Sequence, residues 1–229
     1  MSEAASGGQT VAGRLRAAWE PERDRLRAVD TEHPTNIRVH RALSWLDAAE
    51  AAEADAEATD ERVLFRWIAF NALYNRWDEK LLRPCGDQDS FRAFLAEAVA
   101  LDAAGAVAGM LEAHKRLVLT LLDNKFLKGQ FWKDPSVARS LRWTPHRQTA
   151  QQHYANKRWG ELLEAAFEPV YFLRCQLVHG AATRRSSMNR DGLRHADDFL
   201  RWAVPLLVAV VIDRGMDENW GPLCYPPQV

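Results

Sequence analysis

Residues 171–190, YFLRCQLVHGAATRRSSMNR, place an arginine and a histidine five positions apart near the end of an apolar segment. Histidine titrates near neutral pH and can accept or donate a proton, whereas arginine stays charged and presents a planar fork of donors that suits phosphate. Arg174 and His179 are thus the residue types needed to cleave RNA without a metal, by attack of a 2′-hydroxyl on its own phosphodiester. One histidine supplies one proton-transfer step. A two-fold dimer that joins two copies of this segment would supply both the base and the acid.

The spacing of this pair does not by itself bring the two side chains together, because positions five apart in a helix differ by roughly 140° around the axis. Gly180 follows His179, and glycine is the usual residue of a left-handed C-terminal cap. We therefore expect His179 at the end of the helix, where it can turn toward Arg174 or toward a ligand. A second interpretation stays open, in which Arg174 forms a surface ion pair and His179 interacts with the helix dipole.

The loop after the pair is rich in side chains that bind phosphate and ribose oxygens without reading the base sequence. They are Arg184, Arg185, Arg190 and Arg194, together with Ser186, Ser187 and Asn189. For Asn189 and Arg190 the alternative is a helix N-cap followed by a surface arginine. Charge is also uneven elsewhere, since residues 47–61 contain seven acids and no base, while residues 133–158 contain six Lys or Arg and one acid. Such runs fit a surface for an anionic ligand and equally fit solvated helix faces.

Other residues that could carry chemistry are few. Asn71 lies in an apolar stripe, and because a buried amide has to be hydrogen-bonded, we consider both a role at a helix junction and a role at the site. The three cysteines, Cys85, Cys175 and Cys224, show no C-x-x-C spacing, and the sequence has no H-E-x-x-H motif or phosphate-binding glycine loop. We predict reduced thiols in a cytoplasmic protein, with no metal site and no cofactor.

The elements that position these residues are predicted to be helices throughout. The chain has 229 residues, 47% of them hydrophobic, with nine tryptophans and nine phenylalanines, which indicates a dense core. Apolar residues recur at three- and four-residue steps from an expected N-cap at Asn36, and again over residues 63–81. One or two helices are expected between residues 90 and 122, with breaks at Gly105 and Gly109.

The second half of the chain continues this helical pattern. We predict an irregular segment over residues 123–148, and a helix from 149 to 179 with a kink or junction at Pro169. A final long helix from 191 to 214 has Asn189 as its expected N-cap, and an extended tail lies on the body through Trp220 and Tyr225.

The predicted organisation is an all-α bundle with an N-terminal appendage. Residues 1–35 form the extension, with one helix around 11–28, and residues 36–229 form the main helical domain. The N-terminal residues do not resemble a signal peptide. The longest apolar run, 202–212, is too short to cross a bilayer, so no membrane association is expected.

RCQLVHG followed by SMNR resembles the HEPN superfamily, small helical domains marked by an R-x-x-x-x-H motif at a helix end. The resemblance extends to HRALSWL at 40–46, WIAFNALYNRW at 67–77 and NKF at 124–126. It also includes VPLL and WGPLCYP near the end of the chain. It spans residues 36–227 and is to solo bacterial HEPN-domain proteins.

This resemblance implies a metal-independent endoribonuclease that acts as a homodimer with a composite cleft, as a toxin or a phage-defence effector. Arg174 would stabilise the scissile phosphate and His179 would transfer the proton, leaving a 2′,3′-cyclic phosphate. Cys175 departs from the family, since many members have asparagine at that position. The implied partners are RNA, with tRNA one candidate, and an antitoxin or another defence protein. The alternative is a non-catalytic HEPN module that binds RNA or nucleotides or serves as a scaffold.

Overall fold

A computed structural model describes residues 9–129, 145–187 and 189–226, and confirms the all-α prediction. Nine α-helices lie within these ranges: α1 (Val11–Arg27), α2 (Pro34–Ala51), α3 (Thr59–Tyr74), α4 (Asp87–Leu101), α5 (Ala106–Ala113), α6 (Lys115–Asp123), α7 (Pro145–Ala155), α8 (Trp159–Val178) and α9 (Arg190–Arg214). Two short antiparallel strands, β1 (Trp77–Asp78) and β2 (Arg83–Pro84), form a hairpin between α3 and α4. The predicted irregular segment at 123–148 falls mostly outside the described residues.

Aromatic side chains from α3, α8 and α9 form the centre of the core. The rings of Phe70 and Phe167 stack with centroids 4.3 Å apart, and Phe199 meets Phe167 edge-on at 5.1 Å. All three side chains are fully buried. Because such aromatic pairs add packing specificity to a large buried apolar area, this cluster holds α8 in a defined position against its neighbours.

Helix α1 confirms the predicted helix near residues 11–28, and it packs into the same hydrophobic core as the rest of the chain. Ala12, Trp19 and Leu26 are buried in that core. The indole Nε1 of Trp19 donates to Oδ1 of Asn36 at 3.1 Å. The division of the chain at residue 35 stays a prediction.

The expected N-cap at Asn36 is wrong, because α2 begins two residues earlier. Pro34 occupies the first helical turn, where its missing N–H costs nothing, and the His33 side chain accepts the Thr35 N–H at 3.3 Å. Asn36 is instead buried inside α2, and its Oδ1 accepts the hydrogen bond from Trp19 of α1.

Three other helix boundaries differ from the predictions. Helix α3 ends at Tyr74 rather than continuing to residue 81, since the hairpin follows directly. Gly105, with a φ of 70°, does break the chain, but Gly109 lies inside α5. Pro169 is buried within α8, and the junction with α7 occurs at residues 156–158.

The predicted tail, described over residues 219–226, lies on the helices through Trp220, whereas Tyr225 is 69% exposed and its ring centroid lies 6.4 Å from that of Trp77. Trp220 donates to Gly215 O at 2.8 Å and packs on Phe94. The guanidinium of Arg38, a residue that is 1% exposed, donates to carbonyl groups at the end of α3 and to carbonyl groups of residues 220–222. The acceptors are Leu73 O (3.2 Å), Asn75 O (2.5 Å), Trp220 O (3.3 Å), Gly221 O (3.0 Å) and Pro222 O (3.4 Å). Burial lowers the pKa of Arg38 to about 10, so it remains charged at neutral pH.

Within the described ranges, no helix taken singly has the length and hydropathy needed to cross a membrane. Helices α4 and α5 reach that threshold only as a pair, which is bent by 109°.

Candidate functional site

Helix α8 carries both residues of the R-x-x-x-x-H pattern, and it ends as Gly180 predicts. Gly180 has a φ of 71°, which a residue with a Cβ adopts only with strain. The N–H of Ala181 donates to Gln176 O at 2.9 Å, and the N–H of Gly180 donates to Leu177 O at 3.3 Å. These two bonds form a Schellman motif, which stops the helix at His179 and fixes the direction of the chain after it.

His179 is exposed at this helix end. Its backbone angles, φ −89° and ψ 10°, depart from helical values, for which ψ is about −42°. No hydrogen bond or ion pair joins His179 and Arg174 within the described chain. The expected turn of His179 toward Arg174 or toward a ligand stays a prediction.

Arg174 is held against the body of the protein. Its guanidinium lies 3.4 Å from Oδ2 of Asp87 and 5.9 Å from the ring centroid of Trp67, and the side chain is 23% exposed. The remaining contact, to Sγ of Cys175 at 3.9 Å, is weak because sulfur is a poor acceptor. Arg174 is therefore restrained by two neighbours while part of its donor fork faces solvent.

A short hydrogen-bond chain supports Asp87 in this position and includes Asn71. Nδ2 of Asn71 donates to the Tyr74 hydroxyl at 3.1 Å, and that hydroxyl donates to Oδ1 of Asp87 at 2.5 Å. Burial, reinforced by the negative charge of Asp87, raises the pKa of Tyr74, so the phenol stays protonated and continues to donate. Asn71 therefore connects, through Tyr74 and Asp87, to Arg174.

Asp87 and Tyr74 were not identified from the sequence. The sequence signal for Asp87 is its position in the first turn of α4, directly after Gly86, where the helix dipole favours an acidic side chain. Nothing in that indication named Arg174 as its partner.

The arginines of the 184–190 loop are engaged by the acidic residues before and at the start of α3. Arg184 Nε donates to Glu61 at 2.7 Å, Arg185 pairs with Asp55 at 2.6 Å, and Arg190 pairs with Asp60 at 2.6 Å. The backbone N–H of Arg185 also donates to Asp60, at 2.6 Å. Arg184 and Arg185 remain 66% and 37% exposed and Arg190 is 15% exposed, and the role of these arginines in RNA binding stays a prediction. These contacts join the acidic run at 47–61 to the basic loop.

The charges and hydrogen bonds of this loop contact shift the pKa values of two carboxyl groups. Hydrogen bonding from the Glu57 N–H, and then from Arg185, lowers the pKa of Asp55. For Glu61 desolvation is the largest single influence and raises the pKa, but the combined effect of Arg184 and neighbouring donors lowers it overall.

Asn189 precedes α9, as predicted, with a left-handed backbone (φ 52°), but its side chain does not cap the helix. Its Oδ1 instead accepts from Nδ2 of Asn124 at 3.0 Å. A Cβ on Gly192 would lie within 3 Å of Asn189 Oδ1 and Asn124 Nδ2, so a larger residue there would displace the amide pair.

An open cleft of about 660 Å³ lies beside the amide pair. We call it the α9 cleft; Asn124, Lys125, Phe126, Ser187, Asn189 and Arg194 are among its lining residues. Nε2 of Gln176 donates to Phe126 O at 2.9 Å, which connects the cleft wall to α8 one turn before His179. Over the described parts of the chain, no group of three or more His, Cys, Asp or Glu side chains is arranged to hold a metal ion.

Comparison of the chain with protein-family models, with curated proteins and with solved structures finds no match.

Proposed function

We propose that the protein is a metal-independent endoribonuclease of the HEPN type. The observation that carries the proposal is the end of α8, where a capped helix presents an exposed imidazole while Arg174, one and a half turns earlier, is restrained by Asp87 and Trp67. A fixed cation and an accessible proton-transfer group on one rigid element meet the requirements for cleavage by 2′-hydroxyl attack.

Because one histidine supplies only one of the two proton-transfer steps, we favour a site built from two copies of the chain. In a two-fold dimer, one His179 would take the proton of the 2′-hydroxyl and the other would protonate the departing 5′-oxygen. The arginines would stabilise the charged phosphorane between them. The products would be a 2′,3′-cyclic phosphate and a 5′-hydroxyl end. Val178, 56% exposed beside His179, is an apolar surface residue suited to such a contact.

Arg184, Arg185 and Arg190 are paired with carboxylates, and this pairing bears equally on cleavage and on the alternative, a non-catalytic module that binds RNA or nucleotides. Within the proposal, the protein acts on RNA in the cytoplasm as a toxin or phage-defence effector restrained by a partner protein. This part rests on the family resemblance alone.

The test is cleavage of single-stranded RNA and of tRNA by the purified chain and by His179→Ala. We expect cleavage to fall at least ~100-fold, the scale of a lost acid–base group, with 2′,3′-cyclic phosphate ends on the wild-type products. His40→Ala, at an exposed histidine of α2, is the matched control and should cleave at the wild-type rate. Equal traces of cleavage by wild type and His179→Ala would refute the proposal. Sedimentation of the wild type would show whether it is a dimer.

A further inference from the structure

We propose that a pocket between α4 and α8 binds the guanine base of an RNA strand, next to the phosphate that Arg174 contacts. The inference rests on the proposed function for its identification of RNA, but its evidence lies in side chains that the cleavage chemistry does not use. The pocket, which we call the α4–α8 pocket, has a volume of about 350 Å³, within the range of small-ligand sites.

Contacts on either side of the pocket show how α4 and α8 form it. Asp87, in the first turn of α4, lies 3.4 Å from Arg174 near the end of α8. Arg92, farther along α4, lies 2.8 Å from Glu164, which comes earlier in α8. The two helices are therefore antiparallel, and side chains that lie between these two contacts on each helix line the pocket.

Apolar side chains form much of the pocket wall. They come from α6, from the turn after it and from α8, and they are Leu122, Leu127, Ala165, Pro169 and Phe172. An apolar wall that carries a few polar groups is typical of small-ligand sites, and it suits the faces of a planar base.

Two polar side chains of the pocket are accessible and have no partner. Gln88 and Glu168 form no hydrogen bond or ion pair with the described residues, and both are partly exposed. Neither side chain has a fully buried polar atom that lacks a partner, so the Gln88 amide and the Glu168 carboxylate are open to a ligand. Lys128 lines the same pocket, where burial lowers the pKa of its amine.

The Glu168 carboxylate decides which base fits. A carboxylate only accepts hydrogen bonds, so it pairs best with a group that offers two donors side by side. Guanine presents such a pair, N1–H and the N2 amino group. Adenine, cytosine and uracil place an acceptor next to their donor, and that acceptor would face the second carboxylate oxygen. The Gln88 amide and the Lys128 amine are donors suited to O6 of guanine, which accepts.

The pocket adjoins the cleavage site through Tyr171 and Asp87. Tyr171 lines the pocket and precedes Arg174 by three residues, a spacing that places both on one side of α8. Burial raises the pKa of Tyr171, and the charge of Arg174 opposes this shift, so the two groups are close. Gln88 directly follows Asp87, the ion-pair partner of Arg174. A guanine in the pocket would therefore direct its phosphate toward Arg174, and the bond to be cut would adjoin a guanosine.

The experiment measures binding of guanosine 3′,5′-bisphosphate to the full chain by calorimetry, in comparison with the adenosine, cytidine and uridine bisphosphates. Each compound carries a phosphate on both sides of the nucleoside, so either phosphate can reach Arg174. Glu168→Gln keeps the size of the side chain but replaces one acceptor with a donor. Glu79→Gln is the matched control, because Glu79 is exposed and also lacks an ion pair in the described residues. Gln88→Met removes the amide, with exposed Gln151→Met of α7 as its control.

We expect the guanosine bisphosphate to bind the wild type at least about tenfold more tightly than the other three. This ratio should fall to about threefold or less in Glu168→Gln and should also fall in Gln88→Met, while both controls keep the wild-type ratio. No binding of any bisphosphate at millimolar concentration, equal affinity for the four bases, or an unchanged ratio in Glu168→Gln would overturn the inference.

These compounds contain no internucleotide bond, so their binding does not depend on cleavage. A guanine preference in a chain that cuts no RNA would count against the proposed function alone. RNA cleavage by a chain that binds the four bisphosphates equally would count against the α4–α8 pocket alone.

Discussion

The loop that carries Arg184, Arg185 and Arg190 is predicted to depend on a single carboxylate. Asp60 is 5% exposed, and it accepts both the Arg185 N–H and the Arg190 guanidinium, each at 2.6 Å. Asp60→Asn keeps the shape of the side chain but removes the charge. The Arg190 guanidinium, 15% exposed, would then lack its counterion.

The size of the effect follows from this burial. Removing one partner of a buried ion pair costs about 3–5 kcal/mol. Because the asparagine oxygen can still accept one of the two hydrogen bonds, about 1 kcal/mol is recovered. The expected loss in free energy of unfolding is therefore about 2–4 kcal/mol, and for a chain of this length the Tm should fall by about 4–16 °C.

Thermal unfolding followed by circular dichroism at pH 7 measures this change. The matched control is Asp55→Asn, whose partner Arg185 is a surface residue, and its Tm should stay within about 2 °C of wild type. The double variant Asp60→Asn/Arg190→Gln should recover part of the loss, since it removes the unpaired charge. A Tm for Asp60→Asn equal to that of Asp55→Asn would refute the assignment of Asp60 as the anchor.

Three further predictions follow from the same contacts. Because the pKa of Glu61 is lowered in the folded state, its pairing with Arg184 contributes fully to the free energy of unfolding above the ordinary value of 4.5 and is lost as pH falls through the lower folded value. In acid denaturation scans, the stability of the wild type should therefore fall more steeply than that of Glu61→Gln. Asp87→Asn should remove the ion pair with Arg174 and lower kcat for RNA about 10- to 100-fold; a wild-type kcat would contradict the positioning role. Gly180→Ala should cost about 1 kcal/mol in urea unfolding because of its positive φ, and no loss would exclude a strained cap.

Features decided by neighbouring residues were predictable from the sequence. The helical cap at Gly180 and the start of α9 after Asn189 depend on residues within a few positions of each other, and both are found where expected. The same local logic failed at Asn36, where Pro34 and His33 formed an earlier and equally favourable helix start.

Contacts between distant residues were not predictable. The acidic run at 47–61 and the basic loop were both recognised as charged, but Asp60 and Arg185 are 125 residues apart. Nothing local to either indicates that they meet. Likewise, the hydrogen bond from Tyr74 to Asp87 forms because the chain turns between α3 and α4. The sequence pattern predicted a helix that continues to residue 81, so it did not indicate this turn.

The carbonyl cage around Arg38 has a consequence for folding during synthesis. Three of its five acceptors belong to Trp220, Gly221 and Pro222, which follow Arg38 by 182 to 184 residues. At the usual rate of translation these residues emerge about 10–40 s after Arg38. Until then the Arg38 guanidinium lacks three of its five carbonyl acceptors and must stay hydrated. We therefore expect the packing of α2 on α3 around Arg38 to be completed only after residue 222 has left the ribosome.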